Sequence, residues 1–504
     1  MSDPTPIREE TREDWKRLGL RYRLLHGQWG EDALDRLRQF FDSSTYNFLP
    51  EPVLAFNAFK SFVHETATLF DGDVTVRISG RSTKASVDML ALDLLWPQMQ
   101  EVLELVRGMN DALVYREWDN EQQQVRYEPV ATSEVEVWPN PKDRSQPARV
   151  DHYHDREVRG SEDVDCRDVW DLRDPANPLF AIEAWIESDD GAGRMVGGWV
   201  DVTEEVMPEV AGLPGRWPFW EHPPEPGSTI EDPATLGAPI WPWTMFHTRI
   251  SNRLVDSCTG HELVDLALVA SVLWTNWTGG MRDVAHEQRW MLDCDIAGMS
   301  SETKKQTHTS SNPMMVMKLV STDTVRSGAA GQWNAPMDPK AYAEAIAGFM
   351  ASGALFAGLS SADVSVTNTG LSRVSGFAIE VSREGKRKVE RRMVAPMNLG
   401  VVHNLVGAAR LANAYGAARL PTDRRAYTVS YTYTAQSSDE TRSEVEETTA
   451  LVDAGFLHPA DALRRFDTSL DDKAAQQRAI EIAQFKAQLA AVKPDQQPTD
   501  QQPM

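Results

Sequence analysis

Two short stretches of this sequence carry side chains of the kind that hold metals. His261-Glu262-Leu263-Val264-Asp265 is one residue away from the HExxH helix of zinc proteases, in which two histidines one turn apart bind the metal and the glutamate serves as base. Asp265 stands where the second histidine would be, and the following turns offer Trp274 and Trp277 instead of a third ligand. The sequence favours a helix start here, with Glu262 and Asp265 at the positive end of the helix dipole. Asp151-His152-Tyr153-His154-Asp155 sets two imidazoles and two carboxylates within five residues. In a strand, His152 and His154 fall on one face while Asp151, Tyr153 and Asp155 fall on the other, so a full ligand set does not converge. The two stretches define an alternative reading of the chain as a metal-dependent hydrolase using His261, Glu262 and Asp265, or the pair His152 and His154. Gly80-Arg81-Ser82-Thr83-Lys84 lacks the GxxxxGK[ST] spacing that wraps amides around phosphates, and no GxSxG or GxGxxG turn occurs. Nucleotide hydrolysis by this chain is not expected.

A third stretch is a run of cations. Residues 372–426 hold eleven Arg and Lys against four Asp and Glu, a local charge of +7, so the rest of the chain carries -31 of the total of -24. Arg383, Lys386, Arg387, Lys388, Arg391 and Arg392 make up its centre. On a helix such a run ordinarily forms a solvated face paired with Glu380, Glu384 and Glu390. The loop before it, residues 358–373 (GLSSADVSVTNTGLSR), has Asp363 as its one acidic side chain. That neighbour points to contact with a phosphate backbone without base reading, with Arg383, Lys386, Arg387 and Lys388 as the candidate residues.

The whole chain has 504 residues, 75 acidic against 51 basic, with hydrophobic content of 41% and 3 cysteines. It is long enough for two to four structural regions with a proper core. A charge this negative repels phosphate, so any contact with nucleic acid must be local and weak. Cys166, Cys258 and Cys294 form no CxxC pair, which argues against a disulfide framework or zinc ribbon and for synthesis in a reducing cytoplasm. The charged start MSDPTPIREETRED does not read as an export signal. The longest strongly apolar stretch, 266–274, is broken by Ser271 and is far short of the roughly 20 residues that span a bilayer.

Hydrophobic spacing sets out the elements. Helices are expected over 14–25, 31–41 and 56–70, a strand over 74–78, and a helix over 86–106 in which Pro97 kinks the chain or opens a second helix. From 112 to 207 short alternating segments predict an antiparallel β-rich region. Nine prolines between 208 and 242, with Trp217, Trp220 and Trp241, predict an irregular connection packed by aromatics. A helix over 261–285 is apolar around most of its circumference and should be packed on several sides. Another over 339–356 has Asp338 as N-cap and Pro339 at its first position. The residues between, 292–337, are polar with one strand at 314–320. A long helix over 375–415 is expected to be interrupted by Pro396 and Gly400. A strand over 427–433 and helices over 439–453, 459–466 and 470–492 complete the chain, Gly455 stopping the first of these helices. The Pro/Gln-rich tail should be disordered.

This order of parts resembles the portal protein of a tailed double-stranded DNA bacteriophage or prophage. Asn57-Ala58-Phe59-Lys60-Ser61-Phe62-Val63 is similar to the family's early helix, and 260–283 (GHELVDLALVASVLWTNWTGGMRD) to its first stem helix. Ser375-Gly376-Phe377-Ala378-Ile379 matches the start of the long helix behind the family's tunnel loop. The strand at 427–433, the acidic helix ending Asp453-Ala454-Gly455, the short helix opening at Pro459 and Asp471-Asp472 before the last helix resemble its final strand and crown. The resemblance covers most of residues 50–490 by order of elements.

The resemblance implies an α+β, portal-like fold with wing, helical-hairpin stem, clip and C-terminal helical crown, assembled as a ring. Its parts would be an N-terminal helical region and β-rich wing (1–255), stem helix 1 (256–290), clip (291–337) and stem helix 2 (338–357). A tunnel loop (358–374), a long kinked helix with a wing strand (375–436), the crown (437–493) and a disordered tail (494–504) would follow. Thr367, Asn368, Thr369 and Arg373 of the tunnel loop would face DNA. It further implies a homo-oligomer of twelve copies at one capsid vertex of the virion, made in the bacterial host cytoplasm, through which double-stranded DNA is packaged and ejected. Terminase, the major capsid protein and a head-tail adaptor would be partners, with no catalysis, no cofactor and no membrane. Twelve chains at -24 would carry a formal -288, which suits a channel in which DNA slides. The apolar 261–285 helix would be covered by neighbouring subunits. The Trp-rich 217–243 segment is either another such subunit contact or a corner buried within the subunit.

Overall fold

Alternation and helical spacing translate directly into a mixed helix and sheet architecture. The structure, a computed structural model, describes residues 12–40, 57–79, 83–158, 161–189, 195–224, 233–250, 254, 261–285, 288–292, 294–296, 319–321, 329–333, 338–359, 376–431, 438–466 and 472–491. Two units are distinct: Met1–Ser372 with Val381–Thr434, and Arg373–Glu380 with Ala435–Met504.

In the first unit the helices Arg12–His26, Gly30–Phe40 and Ala58–Thr66 lie where the apolar spacing places them. Asn57 caps the third, its side chain accepting from the Lys60 amide. The strand Val74–Ile78 pairs antiparallel with Tyr427–Tyr431, two segments some 350 residues apart that the sequence marks separately as strands. The expected kink at Pro97 is not where the chain breaks. Lys84–Asp88 and Leu92–Met109 are separate helices, and the break falls at Ala91, whose φ is 47°. Pro97 is the sixth residue of the second helix, which continues past it. Leu95, Met99, Val102 and Val106 form its buried stripe.

That stripe faces a three-stranded antiparallel sheet with Asp111–Asp119 at its centre, flanked by Gln124–Ala131 and Trp243–His247. Alternation divides the central strand between two cores. Ala112 and Val114 join one with the helices, and Leu113 joins another with Trp170, Phe180 and Trp217. The β-rich region continues as a five-stranded antiparallel meander, Val135–Pro139, Pro147–Val158, Ser161–Asp171, Leu179–Asp189 and Met195–Asp201, paired in chain order. The Pro/Trp connection closes the second core from within the chain. Trp217 and Trp220 are buried, the Trp220 indole donates to the Trp217 carbonyl at 2.8 Å, and Trp170 stacks on Phe219.

His261–Ala285 buries Val264, Ala267, Leu268, Ser271, Val272 and Thr275 and packs against Gly30–Phe40, Ala58–Thr66 and Pro339–Ala357. Three helices of its own chain thus cover one side of it, while Leu273, Trp274 and Trp277 stay half-buried and Met281 is exposed. Asp338 caps Pro339–Ala357 by accepting from the Lys340 amide. Between these helices four short strands lie among the described residues; the one strand expected over 314–320 falls outside the described residues except at 319–320. Gln288–Leu292 pairs with Ala329–Trp333, and Cys294–Ile296 with Leu319–Ser321, both antiparallel.

Gly376–Tyr415 is a single helix through both Pro396 and Gly400, which corrects the expected interruption. Pro396 leaves the Arg392 carbonyl without its helical partner, and Arg392 is an exposed residue that water can reach. Gly400 has a packing reason: a Cβ there would stand 2.4 Å from the Phe246 ring. Gly407, two turns on, faces Arg116 in the same way, a Cβ standing 2.3 Å from the guanidinium. The helix lies on the sheet by means of these two positions. In the second unit Ser438–Asp453, Pro459–Phe466 and Asp472–Ala491 are helices, and Gly455 sits at φ +75° just after the first, as its expected stop requires.

Candidate functional site

At the residues described, the metal candidates lie apart from one another. Glu262 and Asp265 lie in the first two turns of His261–Ala285, both exposed, and Asp265 approaches Arg36 at 3.8 Å. The His261 side chain lies outside the described residues. His152 and His154 share a sheet face, as alternation requires, with ring centroids 5.2 Å apart, and His154 Nε2 is 3.1 Å from Asp168 Oδ1. Asp151 is on the opposite face, where the buried Arg149 guanidinium donates two bonds to its carboxylate at 2.8 and 2.9 Å. Arg149 also lies over the Trp138 ring. Among the described residues no three His, Cys, Asp or Glu side chains converge as a metal shell does.

The candidate tunnel-loop residues Thr367, Asn368, Thr369 and Arg373 lie outside the described residues, as does the side chain of Arg383. The rest of the cationic run is set in an acidic frame. Lys386 Nζ pairs with Glu65 Oε2 of Ala58–Thr66 at 2.9 Å. Glu390, one turn on, is 4% exposed, and burial pushes its carboxyl above the ordinary range although Lys386 pulls it down. Burial also raises the Asp71 carboxyl, which Lys386 likewise opposes. Lys388, Arg391 and Arg392 are exposed. The fold therefore brings Glu65 and Asp71, some 320 residues away in sequence, against cations that a local count leaves unbalanced.

A second cationic grouping has no counterpart in the sequence reading. Arg116, in the middle of the central strand, donates to Thr244 Oγ1, to Asn404 Oδ1 at 2.7 Å and to the Trp241 and Trp243 carbonyls at 3.0 and 3.4 Å. It borders a cleft that His403, Arg410 and Arg424 also line. The three residues His403, Gly407 and Arg410 recur at helical spacing on one face, and that period was the available signal. Nothing near Arg116 in sequence points to it.

No protein-family model matches the sequence, and no curated protein does. Among solved structures the chain is similar to one described under "Virion of native gene transfer agent (GTA) particle", with 12% identity and a TM-score of 0.34 over 87% of this chain and 94% of that one. It is similar also to one from the "Neck of native GTA particle computed with C12 symmetry", with 11% identity and a TM-score of 0.34 over 81% and 88%. At that TM-score neither likeness assigns a role.

Proposed function

We propose that this chain is a portal-type structural protein, a ring-forming component of a phage-like virion that conducts double-stranded DNA without catalysis. One observation carries the reading: two packed helices, His261–Ala285 and Pro339–Ala357, joined through two antiparallel strand pairs, with the long helix Gly376–Tyr415 following. This is the order of stem, clip, stem and long helix that the family resemblance implies. The second helix leaves Leu355 72% and Phe356 69% exposed, apolar surface that an isolated subunit has no use for and a neighbouring copy would cover. Twelve copies at one capsid vertex, with terminase, the major capsid protein and a head-tail adaptor as partners, is the finer form of the proposal. Within it, residues 358–374 would face the DNA, and Arg383, Lys386, Arg387 and Lys388 would lie at its backbone.

The experiment is the mass and shape of the assembled protein. Native mass spectrometry with electron microscopy should find rings of twelve times 56.4 kDa, about 677 kDa, with an axial hole wide enough for a duplex. A compact particle without a hole at any concentration would overturn the reading. Stoichiometric zinc lost together with a hydrolase activity on His261→Ala would instead establish the metal-enzyme alternative.

A further inference from the structure

A cleft of about 320 Å³ opens in the first unit among the turn before Pro147–Val158, the start of Trp243–His247 and the long helix. Arg116 borders it at 2% exposure. Every hydrogen bond of its guanidinium goes to a neutral oxygen, and no carboxylate takes part in its electrostatic surroundings. Burial lowers its pKa to about 10, so it keeps its charge at neutral pH. A buried charge ordinarily has a countercharge.

Arg410 and Arg424 line the same cleft, and Asp143 is the one carboxylate among its lining residues. Asp143 is 3.7 Å from Arg424 and is already engaged by Ser145, whose hydroxyl donates to it at 2.6 Å and whose amide donates at 3.2 Å. Three guanidinium charges against one carboxylate leave the cleft at +2, with His403 held neutral because burial, then Arg424, lowers its pKa to about 4.

The hydrogen-bond inventory points the same way by a different route. Arg116 Nε, Trp241 Nε1, Trp243 Nε1 and His403 Nε2 are buried nitrogens with no hydrogen-bond partner in the protein, and all four residues line this cleft. Arginine and tryptophan nitrogens only donate, so what satisfies them is an acceptor. An acceptor-rich, multiply charged and compact ligand answers both the charge and the donors.

We propose that this cleft binds a small free oxyanion of the phosphate or sulfate class, held at its mouth by Arg410 and Arg424 above the fixed charge of Arg116. The buried position of Arg116 is out of reach of a duplex backbone, which is why a free ion is the ligand. The inference goes beyond the portal reading and stands whether or not the chain forms a ring.

Calorimetric titration of inorganic phosphate into the full chain, at constant ionic strength made up with chloride, tests it. Saturable binding is expected, with a parallel rise in the thermal unfolding temperature. Arg410→Gln with Arg424→Gln, both exposed residues, should weaken phosphate at least about tenfold through loss of charge-assisted bonds, and leave unfolding in chloride unchanged. Should the double variant unsettle Asp143, Arg410→Gln alone carries the test. No binding beyond chloride, or undiminished binding by the variants, overturns the proposal. Duplex DNA at matched phosphate concentration forms the second arm. Competition by the duplex that the same variants abolish would assign the cleft to a nucleic-acid backbone and overturn the free-ion assignment.

Discussion

Two mid-helix glycines of this chain should respond to alanine with opposite signs, because one faces space and the other faces a ring. Gly348, in Pro339–Ala357, has nothing within 4 Å of where a Cβ would stand. Gly348→Ala should therefore gain most of the roughly 1 kcal/mol by which alanine exceeds glycine in a helix interior. Gly400→Ala gains the same backbone preference but places its methyl 2.4, 2.6 and 3.0 Å from Cδ1, Cε1 and Cγ of Phe246. Phe246 is fully buried on Trp243–His247, so its ring cannot swing into solvent. Overpacking of a dense core costs about 1–3 kcal/mol, and three overlapping atoms put this site toward the upper end. The net expectation is a loss of about 1–2 kcal/mol for Gly400→Ala. Urea unfolding followed by tryptophan fluorescence reads this unit alone, because Arg373–Glu380 and Ala435–Met504 contain no tryptophan. With a slope of about 3 kcal/mol per molar, the midpoint should fall by about 0.5 M. Phe246→Leu should restore part of the loss in the Gly400→Ala background, a coupling that a double-mutant cycle isolates. Equal or greater stability of Gly400→Ala would refute the account of why glycine stands there.

Asp151→Ala should destabilise the β-rich region by about 1.5–3 kcal/mol, since it removes two charge-assisted hydrogen bonds of the buried Arg149 guanidinium and leaves it Asp171 at 3.9 Å, and the same urea titration reads it. His403 is held neutral with a pKa of about 4 against 6.5 when unfolded, so the folded state binds fewer protons between those values and stability falls as pH falls from about 6.5 to 4. His403→Gln should flatten that part of the pH-stability profile, and an unchanged slope would refute the assignment. Glu390 has the opposite sign: burial raises its carboxyl, so Glu390→Gln should stabilise at neutral pH, with the gain disappearing as pH falls and the native carboxyl protonates. On the portal reading proposed above, neutralising Arg383, Lys386, Arg387 and Lys388 together should impair genome packaging or retention and leave ring assembly intact, with normal packaging showing the run to be a solvated face.

Local pattern made much of this fold readable, and the failures have one physical origin. The helix start capped by Asp338 was legible because the cap and the apolar spacing agree within a few residues, whereas the helix expected over 56–70 begins only after Asn57, whose capping role the spacing did not show. Val74–Ile78 and Tyr427–Tyr431 each read as strands by alternation, but their pairing is long-range and nothing in either segment encodes it. Pro396 and Gly400 read as breakers because propensity is local, whereas Phe246 supplies from another strand the contact that makes glycine the fitting residue. Pro97 misled for the same reason, the chain turning instead at Ala91. The short strands described between the paired helices were under-read because, as with Val74–Ile78, the pairing that makes them strands is not encoded within either segment. Of the Arg116 cleft only the helical period of His403, Gly407 and Arg410 was open to reading, its other parts coming from residues 116, 143, 241 and 424.

The charge frame around Lys386 bears on how a DNA-conducting ring would work. From Arg383 to Arg392 the sequence counts six cations and two carboxylates, a surplus of +4. Folding sets Glu65 in an ion pair with Lys386 and Asp71 within its field, which reduces that surplus. Each phosphate neutralised by a cation adds roughly 0.9 to the slope of binding against salt, so every cation of the run that a carboxylate engages would lower the salt dependence and the hold. The remaining exposed cations, Lys388, Arg391 and Arg392, are long, flexible side chains on one helix, suited to passing a moving backbone and not to fixing its register. In the ring proposed above, such a segment in a chain of net charge -24 would attract DNA at one level without stopping it. A local cation count would have suggested a clamp; the carboxylates that the fold brings alongside favour a bearing.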